Sequence, residues 1–275
     1  MNNKFLIFNA DDFGISKSIN DCILDGYQNG FLRSASLCAN GSAFCDAVEN
    51  VIAKCLQMSV GVHLNISDGA LLAKNSLLQE INDGSNKSFI KAMFRSSDKI
   101  FLAAVEEEFR AQIEKCLKFT SITHLDSHRH IHAIPNIFKV ATKLAKEYKI
   151  PYIRTQREKL YFIPNLKSHL STVYPVNLIK NFLLNFYTDS NKMILNGTNL
   201  KTNDFLVGVC YSSIMNYESI KYGIKTIGKN CTVEILIHPK TLADKDHQIV
   251  KNETLKNEIA KMGFKITTYS EMLLL

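Results

Sequence analysis

The sequence predicts an α/β fold, a distorted (β/α) TIM-like barrel built as a single domain over residues 1–275. Short apolar or alternating runs typical of strands occur about eight times, and helical patterns lie between most of them. The first strand is followed neither by a dinucleotide-binding glycine fingerprint nor by a P-loop. Repeated strand–helix alternation indicates a parallel sheet, and about eight strands favour a closed barrel over an open sheet.

The first predicted strand covers residues 5–9, and the others lie near 34–39, 59–65, 121–126, 151–154, 205–210, 232–238 and 265–268. Helices are predicted at 16–29, with Ser16 as a possible cap and Gly30 as the stop, and at 98–118, 136–148 and 251–262. Three segments fit neither pattern and are expected to be irregular: 66–97, 155–175 and 188–204. Long excursions of this kind often shape the substrate pocket of a barrel.

Composition excludes several classes of protein. The formal net charge is +7, but the lysines are dispersed, whereas a nucleic-acid surface usually needs a concentrated basic patch. No apolar stretch approaches the ~20 residues of a membrane span, and the short apolar run before Asp11 is no signal peptide. The seven cysteines include no Cys-x-x-Cys pair, which predicts reduced thiols in a cytoplasmic protein. We therefore expect neither nucleic acid nor a membrane as a partner.

Two adjacent carboxylates, Asp11 and Asp12, follow the first predicted strand in the stretch Asn-Ala-Asp-Asp-Phe-Gly. At the end of a buried strand each carboxylate disfavours ionisation of the other, and a divalent cation removes that cost. Because successive strand residues point to opposite sides, we expect one carboxylate to bind metal while its neighbour faces the reactants as a general base. The alternative is that Asp12 or Ser16 only caps the following helix.

Histidines follow other predicted strands. His63 ends the third strand, His238 ends a late one, and four more of the eight histidines lie within residues 124–132. The carboxyl ends of barrel strands meet at one face, where we expect the chemistry. One carboxylate and two imidazoles leave positions open for water and substrate, as a hydrolytic metal centre requires. Such a mixed ligand set allows zinc, manganese, cobalt or nickel, and magnesium with retained waters.

The choice of ligand within the histidine-rich stretch stays open at this point. His128 and His132 have the spacing of one helical face, while His128 and His130 share a face if the chain is extended. Asp126 is a candidate to orient a ligand histidine through a hydrogen bond. His124 and His130 are equally well explained as structural histidines.

Three motifs, in this order and widely separated, resemble those of the YdjC/ChbG-like carbohydrate (chitooligosaccharide) deacetylases. They are Asn-Ala-Asp-Asp-Phe-Gly, Gly-Val-His-Leu-Asn and Thr-His-Leu-Asp-Ser-His-Arg-His-Ile-His, and the likeness extends to Ile153-Arg154 and to Glu-x-x-x-His-Pro at 234–239. The resemblance covers about the whole chain. It implies a distorted (β/α) barrel and a metal-dependent hydrolase that removes the N-acetyl group from acetylated amino sugars.

The resemblance also implies roles for particular residues. By the family pattern, Asp12, His63 and His128 bind one divalent metal, for which magnesium and zinc are the leading candidates. Asp11 is the general base, and His238 is the general acid that protonates the departing amine. A homodimer is compatible with the family.

Some positions are less clearly assigned. Arg154 is expected to neutralise Asp11 or Asp126, to contact the substrate, or to form a plain structural ion pair. Lys240 departs from the resemblance, because the family commonly has His-Pro-Gly where this chain has His-Pro-Lys. The lysine adds a charge beside the expected acid, which bears on the choice of substrate.

Two other functions remain as alternatives at this stage. A metal-dependent phosphoesterase on a similar barrel usually needs more metal-binding carboxylates than Asp11 and Asp12. A non-catalytic sugar-binding protein has no need for the full set of carboxylates and histidines at the strand ends.

Overall fold

The computed structural model describes residues 4–170 and 173–274, without the side chain of residue 169. Its strands are all parallel and form one sheet in the order β5-β4-β3-β2-β1-β7-β6, with β8 beside the start of β1. The strands are β1 (Lys4–Phe13), β2 (Ser34–Leu37), β3 (Ser59–Leu64), β4 (His124–Ser127), β5 (Tyr152–Ile153), β6 (Phe205–Val207), β7 (Cys231–Ile237) and β8 (Phe264–Ile266). Every predicted strand is present. The sheet curls into a half-barrel, which confirms the predicted distorted (β/α) barrel.

Hydrogen bonds partly bridge the open side of the sheet, between β5 and β6. Lys201 forms a bridge with Tyr152 of β5, and the amide of Leu206 in β6 donates to the carbonyl of Arg157 at 2.7 Å. Because the strands are parallel, their carboxyl ends lie on one face of the sheet. β1, which pairs with β2, β7 and β8, ends at Phe13 on that face.

Helices pack around the curled sheet. They are α1 (Lys17–Asn29), α2 (Phe44–Asp46), α3 (Ser88–Arg95), α4 (Lys99–Leu117), α5 (Pro135–Glu147), α6 (Tyr174–Leu195), α7 (Tyr217–Lys225), α8 (Lys245–Ile249), α9 (Glu253–Lys261) and α10 (Tyr269–Met272). Four of these match the predicted helices to within two residues at each end. The predicted cap is also present: the Ser16 side chain accepts a hydrogen bond from the amide of Ile19 (3.3 Å), and Gly30 follows α1.

Two helices lie in segments that we expected to be irregular, so that expectation is wrong in part. α3 falls within residues 66–97, and α6 covers the first part of 188–204. α6 escapes detection because its buried positions include Asn177, Asn181 and Asn191, which inverts the usual apolar stripe. Residues 171 and 172, in the expected irregular segment 155–175, lie outside the described residues.

Burial follows from this arrangement. β2, β3, β4 and β7 are buried at every position, as expected for strands covered on both faces. Six of the seven cysteines are buried, and all seven are free thiols. Within residues 4–170 and 173–274, no helix has both the length and the apolar character needed to cross a bilayer.

Candidate active site

The two adjacent carboxylates lie near the end of β1, where its pairing with β2 shifts register between Ala10 and Phe13. Asp12 has a positive φ of 65°, a strained conformation for a residue with a side chain. The register shift and this positive φ interrupt the regular alternation of side chains along β1. Both carboxylates line one cavity of about 460 Å³. The expectation that Asp11 and Asp12 point to opposite sides is therefore wrong, although they contact different groups.

Asp12 contacts two imidazoles. Its Oδ1 lies 2.8 Å from Nδ1 of His128 and 3.4 Å from Nε2 of His63. Burial raises the pKa of Asp12, but the hydrogen bonds from both histidines outweigh burial and hold its pKa well below the usual range. The carboxylate is therefore ionised, and the three side chains present one oxygen and two nitrogens to the same point in the cavity.

Asp126 orients the ring of His63. Its Oδ1 accepts a hydrogen bond from Nδ1 of His63 at 2.7 Å. Because an ionised carboxylate can only accept, Nδ1 carries the proton, and a neutral ring presents the lone pair of Nε2 toward Asp12. Burial lowers the pKa of His63, but the charges of Asp11 and Asp126 outweigh burial and raise the pKa to about 10. The surroundings of His63 therefore favour a positive charge.

Asp11 is bound by Arg154. Nη1 and Nη2 of the guanidinium donate to its two carboxylate oxygens at 2.8 Å each. Nη2 also lies 2.6 Å from Asp126 and 2.5 Å from Glu234. These four side chains are at most 2% exposed, so one cation is shared among three buried carboxylates. Arg154 thus pairs with both carboxylates that the sequence offered as alternatives, and with Glu234 in addition.

Of the four histidines at 124–132, all of which the structure describes, His128 is the one beside Asp12. Both ring nitrogens of His132 are engaged elsewhere, with the Ser127 hydroxyl at 2.5 Å and the Arg154 carbonyl at 3.1 Å. His132 therefore has no free nitrogen for a metal.

The ring of His124 is also occupied, because its nitrogens lie 2.8 Å from the Thr123 hydroxyl and 3.0 Å from that of Ser36. Arg129 and His130 both have positive φ, 56° and 59°, so the stretch is neither the helix nor the extended segment considered above. His130 lines the cavity, and its buried Nδ1 has no hydrogen-bond partner within the described residues.

His238 comes directly after β7 and lines the same cavity. The backbone amide of His238 donates a hydrogen bond to the carboxylate of Asp246, in α8, at 2.9 Å. Burial raises the pKa of Asp246. Lys240 lines the cavity as well. Its amide donates to Asp244 at 3.2 Å, and its carbonyl accepts from the Ser18 hydroxyl at 2.6 Å.

Sequence reasoning missed several residues that line the cavity: Lys180, Ser212, Ser213 and Asp246. The two serines and Asp246 follow the carboxyl ends of β6 and β7, a position that could have marked them. Lys180 gave no signal, because it reaches the cavity from α6, in a part of the chain without a recognised motif. No partner for its ammonium occurs among the described residues, and burial lowers the pKa of Lys180 to about 8.

Two overlapping groups of described residues bring possible metal ligands within 4.8 Å of one another: Asp12 with His63 and His128, and Asp11 with His63 and Asp126. The first group fits a divalent cation, because its three ligand atoms converge and no arginine or lysine among the described residues pairs with its carboxylate. The second group fits poorly, because Arg154 already pairs with both of its carboxylates.

The family model for the YdjC-like proteins matches residues 5–271. The chain is 35% identical over 192 residues to a carbohydrate deacetylase of Clostridium beijerinckii, which covers 68% of this chain and 76% of that one. It is 28% identical over 285 aligned residues to a carbohydrate deacetylase of Geobacillus stearothermophilus, with 98% of both chains covered.

A crystal structure from Enterococcus faecalis, of a protein described as a cellobiose-phosphate cleavage protein, has a similar fold. The TM-score is 0.70, and the match covers 98% of this chain and 99% of that one. At 19% sequence identity this likeness shows the fold alone.

Proposed function

The chain belongs to the YdjC-like family, and we propose that it is a metal-dependent hydrolase that removes the N-acetyl group from acetylated amino sugars, such as chito-oligosaccharides, and releases acetate. The observation that carries the proposal is the convergence of Asp11, Asp12, His63, His128 and His238 on one cavity at the carboxyl ends of the strands. The names of the two relatives, both carbohydrate deacetylases, support the same class of reaction.

Asp12, His63 and His128 would hold one divalent cation. When bound, such a cation lowers the pKa of water and polarises a carbonyl, the two tasks that amide hydrolysis requires. Two imidazoles with one carboxylate suit zinc and its transition-metal neighbours better than magnesium, which prefers oxygen ligands. Among the metals considered, we therefore favour zinc over magnesium, manganese, cobalt and nickel.

Asp11 would accept the proton of the attacking water. Its carboxylate lines the cavity, and the bidentate contact with Arg154 fixes the direction of both oxygens. A fixed orientation lowers the entropic cost of reaching the reactive arrangement. Arg154 is therefore a positioning residue that acts through Asp11.

His238 would give a proton to the amine nitrogen as the C–N bond breaks. An amine is too basic to depart as an anion, so a proton donor at this position is worth a typical ~100- to 10,000-fold in rate. The backbone amide of His238 donates to the Asp246 carboxylate at 2.9 Å, which holds the main chain of His238 beside the cavity that the residue lines.

Lys180 would contact the substrate. Its ammonium lines the cavity, with no hydrogen bond or ion pair within the described part of the chain, so a sugar hydroxyl or the acetyl oxygen can serve as its acceptor. An amine with three donors left unsatisfied in a half-buried position gains most from a polar ligand.

Acetate release from N-acetylated chito-oligosaccharides tests the proposal, with a generic phosphodiester measured in parallel. We expect acetate release that stops after chelation and returns on adding zinc, and no phosphodiester cleavage. Phosphodiester cleavage without acetate release would favour the phosphoesterase. Binding of the sugar without release of either product, with metal present, would favour a sugar-binding protein.

A further inference from the structure

A buried carboxylate joins three segments beside the cavity. Glu158, which follows β5, is 2% exposed, and its oxygens accept hydrogen bonds from three consecutive backbone amides after β6. These are the amides of Gly208 (2.8 Å), Val209 (3.0 Å) and Cys210 (2.8 Å). The side chain of Asn181, in α6, donates to the same carboxylate at 3.1 Å. All four partners are N–H donors, which favour the ionised form of the carboxylate.

The loop that follows β6 contains two serines of the cavity, Ser212 and Ser213. The amide of Ser212 donates to the carbonyl of Val209 at 3.2 Å, so this turn begins at a residue that Glu158 holds. The Asn177 side chain of α6 donates to the Ser212 carbonyl at 3.0 Å. Ser213 has a positive φ of 68°, a strained conformation that its surroundings must maintain. The contacts of Glu158 and Asn177 therefore fix the path of the loop.

The same glutamate anchors α6. Besides the bond from Asn181 to its carboxylate, the side chain of Asn185 donates to the backbone carbonyl of Glu158 at 2.9 Å. Lys180, the residue beside Asn181, lines the cavity. Since a helix is rigid over one turn, these contacts hold the rotation of α6 about its axis and with it the direction of Lys180.

We propose that Glu158 is a positioning residue for substrate binding, which acts through Lys180, Ser212 and Ser213. The inference rests on the proposed function, because the ligand that these three side chains would meet is the acetylated sugar. Two hydroxyls and one ammonium are suitable partners for sugar hydroxyls. Glu158 holds the two segments that carry them at a fixed separation, and it acts without contact to the sugar.

The charge of Glu158 also acts on Lys180. Burial and the nearby guanidinium of Arg129 lower the pKa of Lys180 to about 8, whereas the carboxylates of Glu158 and Asp11 act to raise it. His130 also lies close enough for the lysine charge to lower its own pKa, which burial already lowers. Removing the charge of Glu158 should therefore lower the pKa of Lys180 further, an effect that a purely structural contact would not produce.

The reactivity of Lys180 toward acetic anhydride, followed by peptide mass spectrometry at a series of pH values, measures this pKa without any need for turnover. We expect the midpoint for Glu158→Gln to lie at lower pH than that of wild type. The same variant should raise KM for N-acetylated chito-oligosaccharides by about 10-fold, as for the loss of a hydrogen bond from a charged donor. Its kcat and metal content should stay close to those of wild type.

The matched control is Glu108→Gln, in α4. Glu108 is fully buried and accepts hydrogen bonds from the backbone amides of Leu72 (3.1 Å) and Ala73 (2.8 Å). It is thus the same kind of contact between a buried carboxylate and a loop, at another place in the fold. This control should keep the midpoint and the KM of wild type.

Circular dichroism shows whether Glu158→Gln folds. If it does not, Asn181→Ala, which removes only the bond from α6, takes its place and should also raise KM. A folded Glu158→Gln with the midpoint of wild type would overturn the inference, as would an unchanged KM or equal changes of KM in Glu158→Gln and its control. Wild type that releases no acetate would instead contradict the proposed function, while the labelling of Lys180 still reports on its contact with Glu158.

Discussion

Asp11 and Asp12 are neighbours in the chain, yet their surroundings differ in charge and in exposure. Asp12 is 17% exposed and contacts the rings of His63 and His128, and no arginine or lysine in the described part of the chain pairs with it. Asp11 is 2% exposed, and both of its oxygens accept hydrogen bonds from Arg154. The cavity thus has an open group, Asp12 with His63 and His128, whose carboxylate pairs with no arginine or lysine of the described residues. It also has a closed group, Asp11 with Arg154, in which the carboxylate is already paired with a guanidinium.

The difference decides where a metal can bind. Two unit charges 4 Å apart repel by about 4 kcal/mol at the effective dielectric constant of a protein surface, and a divalent ion doubles that figure. A metal at Asp11 would meet this repulsion from Arg154 at contact distance, whereas no arginine or lysine of the described residues contacts Asp12. Adjacent residues can therefore have separate roles, because Arg154, which directly follows β5, neutralises one of them.

The largest expected effect comes from the open group. His63→Ala removes a ligand nitrogen, and two remaining ligands are too few for a tight site. We expect metal content and acetate release to fall together to the level of the chelated wild type, as measured by elemental analysis and by turnover. His130→Ala, which changes another histidine of the cavity, should keep its metal. Loss of metal in both variants alike would contradict the assignment of the open group.

His238→Ala tests whether His238 donates the proton to the departing amine without taking part in metal binding. We expect hydrolysis of the amide to slow by roughly 100- to 10,000-fold, the usual contribution of a general acid. An acetate ester should be affected far less, because its leaving alkoxide needs less help, and metal content should not change. Equal losses on amide and ester would instead assign His238 to substrate binding.

Asp126 lies between the two groups, since it contacts both His63 and Arg154. Asp126→Asn weakens the hydrogen bond that orients the His63 ring, and loss of such a contact typically lowers metal affinity by roughly 10- to 100-fold. Glu234→Gln is the matched control, because Glu234 also pairs with Arg154 but forms no hydrogen bond with His63 among the described residues. If both variants lose affinity equally, the charge of the closed group, rather than ring orientation, controls metal binding.

The smallest expected effect concerns Lys180, which belongs to neither group. Lys180→Met should lower kcat/KM by about 10-fold, because a hydrogen bond from a charged donor is lost, while metal content is unchanged. Burial lowers the pKa of Lys180 to about 8, so its charge is present below pH 8 and lost as the pH rises through that value.

The pH profile separates this contact from a merely structural role. Wild-type kcat/KM should decline above pH 8, Lys180→Met should lack this decline, and Lys180→Arg should keep its activity to higher pH. An unchanged decline in both variants would assign it to another group.

The sequence predicted the strands well because buried parallel strands are short apolar runs, and their burial leaves little choice of residue. β4 shows the limit of that signal: its predicted span, 121–126, ends one residue short of the observed strand and begins three too early. The helix α6 was missed for the opposite reason, since hydrogen-bonded asparagines replace the apolar side chains that normally mark a buried face.

For the site, strand ends identified the residues that meet in the cavity, but backbone conformation was beyond the sequence. The positive φ values of Asp12, Arg129 and His130 decide where their side chains point, and none of these residues is a glycine that would have marked a turn. Lys180 reaches the cavity from α6, with no motif around it. Its place there follows from tertiary packing alone.

The central claim is that Asp12 binds the metal and Asp11 serves as base. Metal content and acetate release, measured together on Asp11→Asn and Asp12→Asn with the same acetylated sugar, test it most directly. Asp11→Asn should keep its metal while turnover falls by roughly 100- to 10,000-fold, because an amide cannot accept the proton of water. Asp12→Asn should lose metal affinity first. If Asp11→Asn loses its metal while Asp12→Asn keeps it, or if Asp11→Asn retains full turnover, the claim is wrong.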